Sequence, residues 1–333
     1  MTNQPPSQPR IALTGATGFV GRAVIRQMAA AGIRPRLLLR RRVPELEALA
    51  SGVVRGDLRD LEALTRLVEE ADVLVHIGGL VAASRADEFH AVNAEATAAL
   101  ARAALGAGVE RFLLVSSLAA REPELSPYAA SKRAAEKALE EWAPDLQRCI
   151  LRPPGVYGPG DRATLPIFQQ LTSGVVAVPA RRGARFSLIY VEDLARAITA
   201  LARDFRAPAW DGAPLPLDDG APDGYGWEDL ASIAGRTLGR SIRVLRLPPH
   251  LLAPVVLAGS AWGRLSRRPV MLSAGKLREL SWPDWVAGGQ AERLPAEGRP
   301  QVTFAEGFTC TLEWYEKHGW LKPRPTAANE APR

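Results

Sequence analysis

Up to about residue 155 the chain repeats one pattern: a short unbroken apolar run, then a longer stretch with apolar positions at helical spacing. Ile11-Ala12-Leu13, Arg36 to Leu39, Val53-Val54, Val73 to Ile77, Phe112 to Val115 and Cys149-Ile150-Leu151 are the short runs, each predicted as a strand. Val20 to Ala31 (ended by Gly32), Leu61 to Glu70, Glu88 to Leu105 and Pro127 to Trp142 carry the helical spacing. The short runs are rich in Val, Leu and Ile and lack polar alternation, as strands do when crossover helices bury both of their faces. Repeated strand–helix–strand units then predict an α/β fold, a Rossmann-type doubly wound parallel sheet.

After Pro153 the pattern loosens. Pro153-Pro154-Gly155, Gly158-Pro159-Gly160 and the loop Trp210 to Trp227 are turn-rich, although Val191 to Arg203, Trp227 to Leu238 and Ala305 to His318 still read as helices. The expected organisation is a disordered start (1–9), a Rossmann domain (10–155), a smaller α+β substrate region (156–321) and a disordered tail (322–333). Some segments of the second region are expected to return to the sheet.

Composition narrows the classes. Hydrophobic residues make up 47% and charged residues 23% of 333, the balance of a globular enzyme with a sizeable core. The formal charge of +6 is spread over Arg40-Arg41-Arg42, Arg181-Arg182 and Arg267-Arg268 with acidic helices between, not a basic stripe interleaved with aromatics. A nucleic-acid partner is therefore not expected. Two cysteines, Cys149 and Cys310, make no disulfide framework, and four scattered histidines make no metal-binding pattern. With no signal-peptide core at the start and no run of about 18 apolar residues, a cytoplasmic protein is expected. Leu251 to Ala258 and the tryptophans Trp262, Trp282 and Trp285 leave peripheral contact with an inner membrane surface open. They equally suit an apolar pocket or the second region's own core.

The candidate chemistry begins at Thr14-Gly15-Ala16-Thr17-Gly18-Phe19-Val20-Gly21, directly after the first strand and opening the first helix. Gly15, Gly18 and Gly21 there suit a sharp turn, close approach to a pyrophosphate and tight strand–helix packing. The helix start adds unpaired N–H groups and a positive dipole end. Arg40 ends the second strand, and no Asp or Glu occurs from Leu37 to Val43. A ribose 2′-phosphate suits such an arginine, whereas NAD sites carry an acid there, so NADP(H) is predicted over NAD(H).

Tyr128 and Lys132 stand one helical turn apart and share a face. A lysine ammonium beside a phenol is expected to lower its pKa from about 10 toward neutrality, readying it for proton exchange during hydride transfer. Ser117 follows a strand, at the sheet edge where ligands bind, and its hydroxyl can hold a substrate oxygen as charge develops. His76 reads as a packed histidine and Asp193 as a helix-start acid.

The ordered set of the glycine loop, Gly56-Asp57-Leu58, Val115-Ser116-Ser117, Tyr128-Ala129-Ala130-Ser131-Lys132 and Arg152 to Asp161 resembles the extended short-chain dehydrogenase/reductase family. Nucleotide-sugar epimerases, 3β-hydroxysteroid dehydrogenases and dihydroflavonol reductases belong to it. The resemblance runs from about residue 10 to 200 and more loosely to about 321. It implies Ser117, rather than Ser116, as the catalytic serine, with Tyr128 as proton carrier and Lys132 also on the nicotinamide ribose. It further implies Asp57 and Leu58 bordering the adenine, and Pro154 and Val156 near the nicotinamide amide. Asn93 matches an asparagine of the family's helix, although Ala96 stands where glycine is usual. Val75-His76-Ile77-Gly78-Gly79 replaces the frequent His-x-Ala-Ala.

Three readings stay open. The first is an NADP(H)-dependent oxidoreductase acting on a ketone, or the matching secondary alcohol, of an apolar substrate. The hydroxysteroid-dehydrogenase-like branch, with sterols and the keto-sphingolipids or oxidised ceramides of bacterial reductases, supplies its candidates. Arg40, the short Leu118-Ala119-Ala120 stretch before Tyr128 and the apolar C-terminal segments favour it. The second is a nucleotide-sugar epimerase or dehydratase that retains NAD. The third is a non-catalytic NADPH-binding subunit, against which Ser117, Tyr128 and Lys132 argue. The alanine-rich helices Glu88 to Leu105 and Pro127 to Trp142 suit a family-like homodimer and packing within one chain equally well.

Overall fold

In a computed structural model, which describes residues 8–248, 254, 256 and 273–324, the apolar runs pair as predicted. They form β1 (Ile11–Thr14), β2 (Arg36–Leu39), β3 (Gly52–Arg55), β4 (Val73–His76), β5 (Arg111–Val115) and β6 (Gln147–Arg152). Beyond them come β7 (Gly155–Tyr157), β8 (Val175–Val178), β9 (Arg185–Phe186), β10 (Leu188–Tyr190), β11 (Pro214–Pro216), β12 (Arg243–Arg246) and β13 (Asp284–Trp285). A parallel seven-stranded sheet runs in the order β11-β6-β5-β4-β1-β2-β3. This is the expected α/β doubly wound fold, with strand order reversing beside β1, where such sheets bind ligands.

Both faces of the sheet are dry. Along β5, Leu113 and Val115 face one core with Val24, Ile25, Met28, Leu194 and Ile198, while Phe112 and Leu114 face another with Leu64, Leu100 and Leu139. Each such side chain contributes about 1.5–3 kcal/mol on burial, which explains the absence of polar alternation. The helix Val191–Leu201 packs against Phe19–Ala30 in the first of these layers. The seventh strand, β11, returns to the sheet from the region after residue 156, within the loop Trp210 to Trp227 that did not read as a strand. Its two prolines lack N–H groups, a loss tolerated because β11 lies at the sheet edge.

Around the carboxyl edge sit three short parallel pairs, β7 with β10, β8 with β12 and β9 with β13. A third core, built from Tyr157, Phe168, Tyr190, Trp227, Phe308 and Tyr315 among others, holds them together. The predicted helix Glu88 to Leu105 is interrupted: Ala86–Phe89 and Ala96–Gly106 are joined by a π-helical turn, His90–Glu95. Residues 1–7 and 325–333, the Arg267-Arg268 pair, the stretch from Leu251 to Ala258 apart from Pro254 and Val256, and Trp262 lie outside the described residues.

Asp193 stands in the first turn of Val191–Leu201 but serves a distant segment. Its buried carboxylate accepts from the backbone N–H of Gln301 (2.9 Å) and Val302 (2.8 Å) and pairs with Arg196. Removing one partner of such a buried pair strands the rest. Asp193→Ala is expected to lower unfolding free energy by about 3 kcal/mol in urea titrations; a change within experimental error would contradict this.

Candidate functional site

The glycine loop is packed backbone against backbone. Gly15 has φ +81°, and a Cβ there would lie 2.5 Å from the backbone nitrogen of Gly78. At Gly21 a Cβ would lie 2.1 Å from the Gly15 carbonyl oxygen. No side chain fits at either position without moving main chain. Gly18 is the N-cap of Phe19–Ala30 and donates its N–H to Gly15 O at 3.0 Å. That helix has no side-chain cap and no acid in its first turn. Its first N–H groups, at Phe19, Val20 and Gly21, therefore lack a carboxylate or hydroxyl acceptor, while Thr17 and Gly18 are exposed. This donor set fits the pyrophosphate of a dinucleotide.

At the other end of this edge, Arg40 is exposed and makes no hydrogen bond or ion pair among the described residues. It lines an open depression of about 600 Å³ with Gly56, Asp57, Arg59 and Asp60. Asp57 accepts from the Arg59 N–H at 2.8 Å, and this bond with the Arg59 and Arg40 charges keeps its carboxyl below the usual range. Leu58 lies against the Gly78 turn: a Cβ on Gly78 would come 3.0 Å from Leu58 Cδ1. The free guanidinium suits an added phosphate on the adenosine ribose.

Ser117, Tyr128 and Lys132 meet past the end of β5. Ser126 N-caps Pro127–Trp142, its hydroxyl accepting from Ala129 N–H at 3.0 Å, and Pro127 occupies the first helical position. Tyr128 follows, half-buried, edge-on to Phe89 at 6.0 Å, with the Ser117 side chain near enough to lower its phenol pKa. One turn on, the buried Lys132 donates Nζ–H to Val115 O at 3.0 Å. A Cβ on Gly79 would lie 3.4 Å from Lys132 Nζ and 2.9 Å from Asn93 Oδ1. Asn93, on the π-helical turn, bonds both backbone groups of Leu80 and donates to Ser131 Oγ.

The expected direction of the tyrosine pKa is corrected here. Burial pushes the Tyr128 phenol up to about 12, with Ser117 drawing it partly back, and pushes the Lys132 ammonium down to about 8. Desolvation favours the neutral form of each group, and the Lys132 Nζ is committed to a backbone carbonyl. The nearby Glu136 carboxylate, one turn further along the helix, works against the loss of the lysine proton. Glu136 is buried and accepts from Ser116 Oγ (2.6 Å), Arg152 Nε (2.8 Å) and Arg133 Nη1 (3.1 Å). Ser116 is thus engaged away from Tyr128. Glu136 was missed in the sequence; its i,i+4 spacing from Lys132 is the signal that could have found it, but nothing there marks Ser116 and Arg152 as its partners.

His76 is packed in the core, as its apolar strand suggested. Thr97 donates to Asn93 O and so accepts from His76 Nε2 at 3.1 Å, while His76 Nδ1 accepts from Thr14 Oγ1 at 2.6 Å. Burial and the Lys132 charge push the imidazole down to about 3, so it is neutral throughout the physiological range. Pro154 and Val156 flank the start of β7, next to Pro153, whose carbonyl accepts from Leu118 N–H at 2.8 Å. Val156 packs against the first core, so the Pro153–Tyr157 turn and the Ser117 turn are held side by side.

The description of an NAD dependent epimerase/dehydratase family matches residues 11–209. A ceramide reductase from Caulobacter vibrioides is 42% identical over 316 residues, covering 93% of this chain and 96% of the relative. A 2-alkyl-3-oxoalkanoate reductase from Stenotrophomonas maltophilia is 27% identical, covering 92% of this chain and 91% of that protein. The solved structure of MoeE5 in complex with UDP-glucose and NAD is similar in fold, at TM-score 0.65 and 21% identity, covering 93% and 99% of the two chains.

The depressed lysine gives a sign that can be tested. Between about 8 and 10.5 the unfolded chain holds the Lys132 proton and the folded chain does not, so this group makes stability rise with pH across that window. Relative to Lys132→Met, the cofactor-free protein should gain stability from pH 8 to 10 in denaturant titrations. Parallel profiles for the two proteins would refute the shift.

Proposed function

This chain belongs to the NAD dependent epimerase/dehydratase family as an NAD(P)-dependent oxidoreductase of the extended short-chain type, and we propose that it reduces a ketone on a lipid-like substrate using NADPH. The observation that carries the reading is the meeting of Ser117, Tyr128 and Lys132 beside an uncapped glycine-loop helix. The reduced nicotinamide supplies hydride when bound. Tyr128, neutral at physiological pH, donates its phenolic proton to the oxygen of the ketone. Ser117 donates a second hydrogen bond to that oxygen and holds it in place as negative charge grows. Lys132 binds the ribose next to the nicotinamide, with Pro154 and Val156 near the amide. Gly15, Thr17, Gly18, Phe19, Val20 and Gly21 hold the pyrophosphate, Asp57 and Leu58 border the adenine, and Arg40 takes the 2′-phosphate.

The substrate reading rests on two names, ceramide reductase and 2-alkyl-3-oxoalkanoate reductase, on relatives that align over nearly the whole of both chains. An oxidised ceramide or another long-chain ketone is the class that both suggest. The exposed Leu105 and Trp142, on helices that suit a homodimer, support self-association as an extension of the proposal. No helix among the described residues is long and apolar enough to cross a membrane; access to a lipid substrate then calls for peripheral contact with its surface.

Two measurements test this. NADPH consumption is screened against oxidised ceramides, other long-chain ketones, sterol ketones and UDP-sugars, with Tyr128→Phe as control. Turnover of a long-chain ketone, abolished in Tyr128→Phe while NADPH still binds, is the expected result; tightly held NAD and conversion of a UDP-sugar would replace the reading with epimerisation. Separately, Arg40→Asp should weaken NADPH binding by about tenfold or more and leave NADH binding nearly unchanged. Equal effects on both nucleotides would remove Arg40 from the 2′-phosphate site.

A further inference from the structure

The buried carboxylate of Glu279 has no part in the chemistry above, yet it touches the helix that carries Tyr128. Glu279 lies on the helix Ala274–Ser281, in the region after residue 156, and its side chain is 7% exposed. One carboxylate oxygen accepts from Ser126 Oγ, the other from Lys276 Nζ at 3.0 Å. The Ser126 oxygen meanwhile accepts from Ala129 N–H, so its single proton points to Glu279 and its lone pair to the helix start. Tyr128 lies between these two residues.

The contact is close and reinforced. A Cβ on Gly275 would lie 2.7 Å from Ser126 Cβ and 3.2 Å from Pro127 Cδ, so the two helices meet where only glycine fits. Arg278 donates to Leu125 O at 2.8 Å, and Arg121 donates to the carbonyls of Asp284 and Val286 beside the Trp285 ring. The Trp285 indole N–H in turn donates to the Glu279 carbonyl at 2.8 Å. Residues 275–286 therefore grip the whole turn between Ser117 and Tyr128.

We propose that Glu279 is a positioning residue for Tyr128: through the Ser126 hydroxyl it fixes the start of the helix that carries the phenol. The inference rests on the reading of Tyr128 as proton donor. The groups around the pair are Ser117 from the strand edge, Phe89 from the neighbouring helix, and Lys132 on the tyrosine's own helix. On the other side are Lys276, paired with Glu279, and Arg278 and Arg121, turned to backbone carbonyls with Glu122 and Asp284 beside Arg121. Glu279 is the carboxylate among them that acts on the phenol, and it acts to raise its pKa.

The test is the Tyr128 titration in the full-length protein with NADP+ bound, read from the ring-carbon NMR signal assigned by its loss in Tyr128→Phe. The positive nicotinamide favours the tyrosinate and brings the midpoint into an accessible range. Glu279→Gln keeps an acceptor for Ser126 but removes the charge, and should lower the midpoint by on the order of half a pH unit. Lys276→Met, at a half-exposed position, leaves the carboxylate without its lysine partner and should raise it. Ser126→Ala should cut ketone turnover on the order of tenfold with NADPH affinity unchanged, and Ser126→Thr, another N-cap, should restore most of it. Variants that bind NADP+ normally yet titrate like the parent would overturn the proposal. Loss of folding in Glu279→Gln leaves Lys276→Met to decide it. Failure of NADP+ binding in the parent would instead count against the functional reading.

Discussion

The site depends on three backbones packed without side chains between them. Gly21 leaves no room for a Cβ beside the Gly15 carbonyl, and Gly15 leaves none beside the Gly78 nitrogen. This stack sets the first helix on β1 and brings the turn after β4 down onto the glycine loop. From Gly78 the chain passes to Gly79, which lies over Asn93 and Lys132. The part of the protein that suits a pyrophosphate and the part that suits proton transfer are thus coupled through a few ångströms of main chain. A methyl group in this stack would displace backbone, and the displacement would reach the Lys132 ammonium.

The electrostatics follow from burial on the same scaffold. Lys132, Glu136, Arg152 and Ser116 form a desolvated group in which Glu136 is the shared anion. Burying such charges is costly unless each is paired, and each of them here has a bonded partner. The arrangement separates the adjacent serines: Ser116 belongs to the Glu136 network and Ser117 faces Tyr128. On the far side, Glu279 closes the helix start through Ser126. The tyrosine's helix is therefore held at two points, by its own buried Glu136 bonded to Ser116 and Arg152 and by the distant Glu279 through Ser126.

Much of this was legible in the sequence, for local reasons. Unbroken Val, Leu and Ile runs announce strands with two buried faces, and those of the first 155 residues sit close to where they were read. The glycine spacing and the one-turn separation of Tyr128 and Lys132 are likewise local. What escaped the reading is not local. Prolines mask β11 as a strand because an edge position, which depends on the whole sheet, is what makes them acceptable there. β9 and β13 are two residues each, too short for any periodicity. The π-helical turn that carries Asn93 inserts into an otherwise regular helical pattern. The Glu279–Ser126 contact spans 153 positions, and no spacing rule reaches that far.

The tyrosine's acidity is the clearest case where neighbours in sequence misled. A lysine four residues on suggested a lowered pKa, but proximity along a helix says nothing of solvent. Where the phenol and the ammonium sit, desolvation is the largest effect on each, and each is driven toward its neutral form. A phenol near 12 is a poor base and a ready hydrogen-bond donor at physiological pH. That state matches a carbonyl substrate, which arrives needing a donor, better than an alcohol substrate, which needs an acceptor. Alcohol oxidation would require positive charge to enter the site and draw the proton away, and an oxidised nicotinamide carries such a charge. The neutral phenol is the state that the proposed ketone reduction uses, and the positive charge of an oxidised nicotinamide would favour the tyrosinate that the reverse reaction needs.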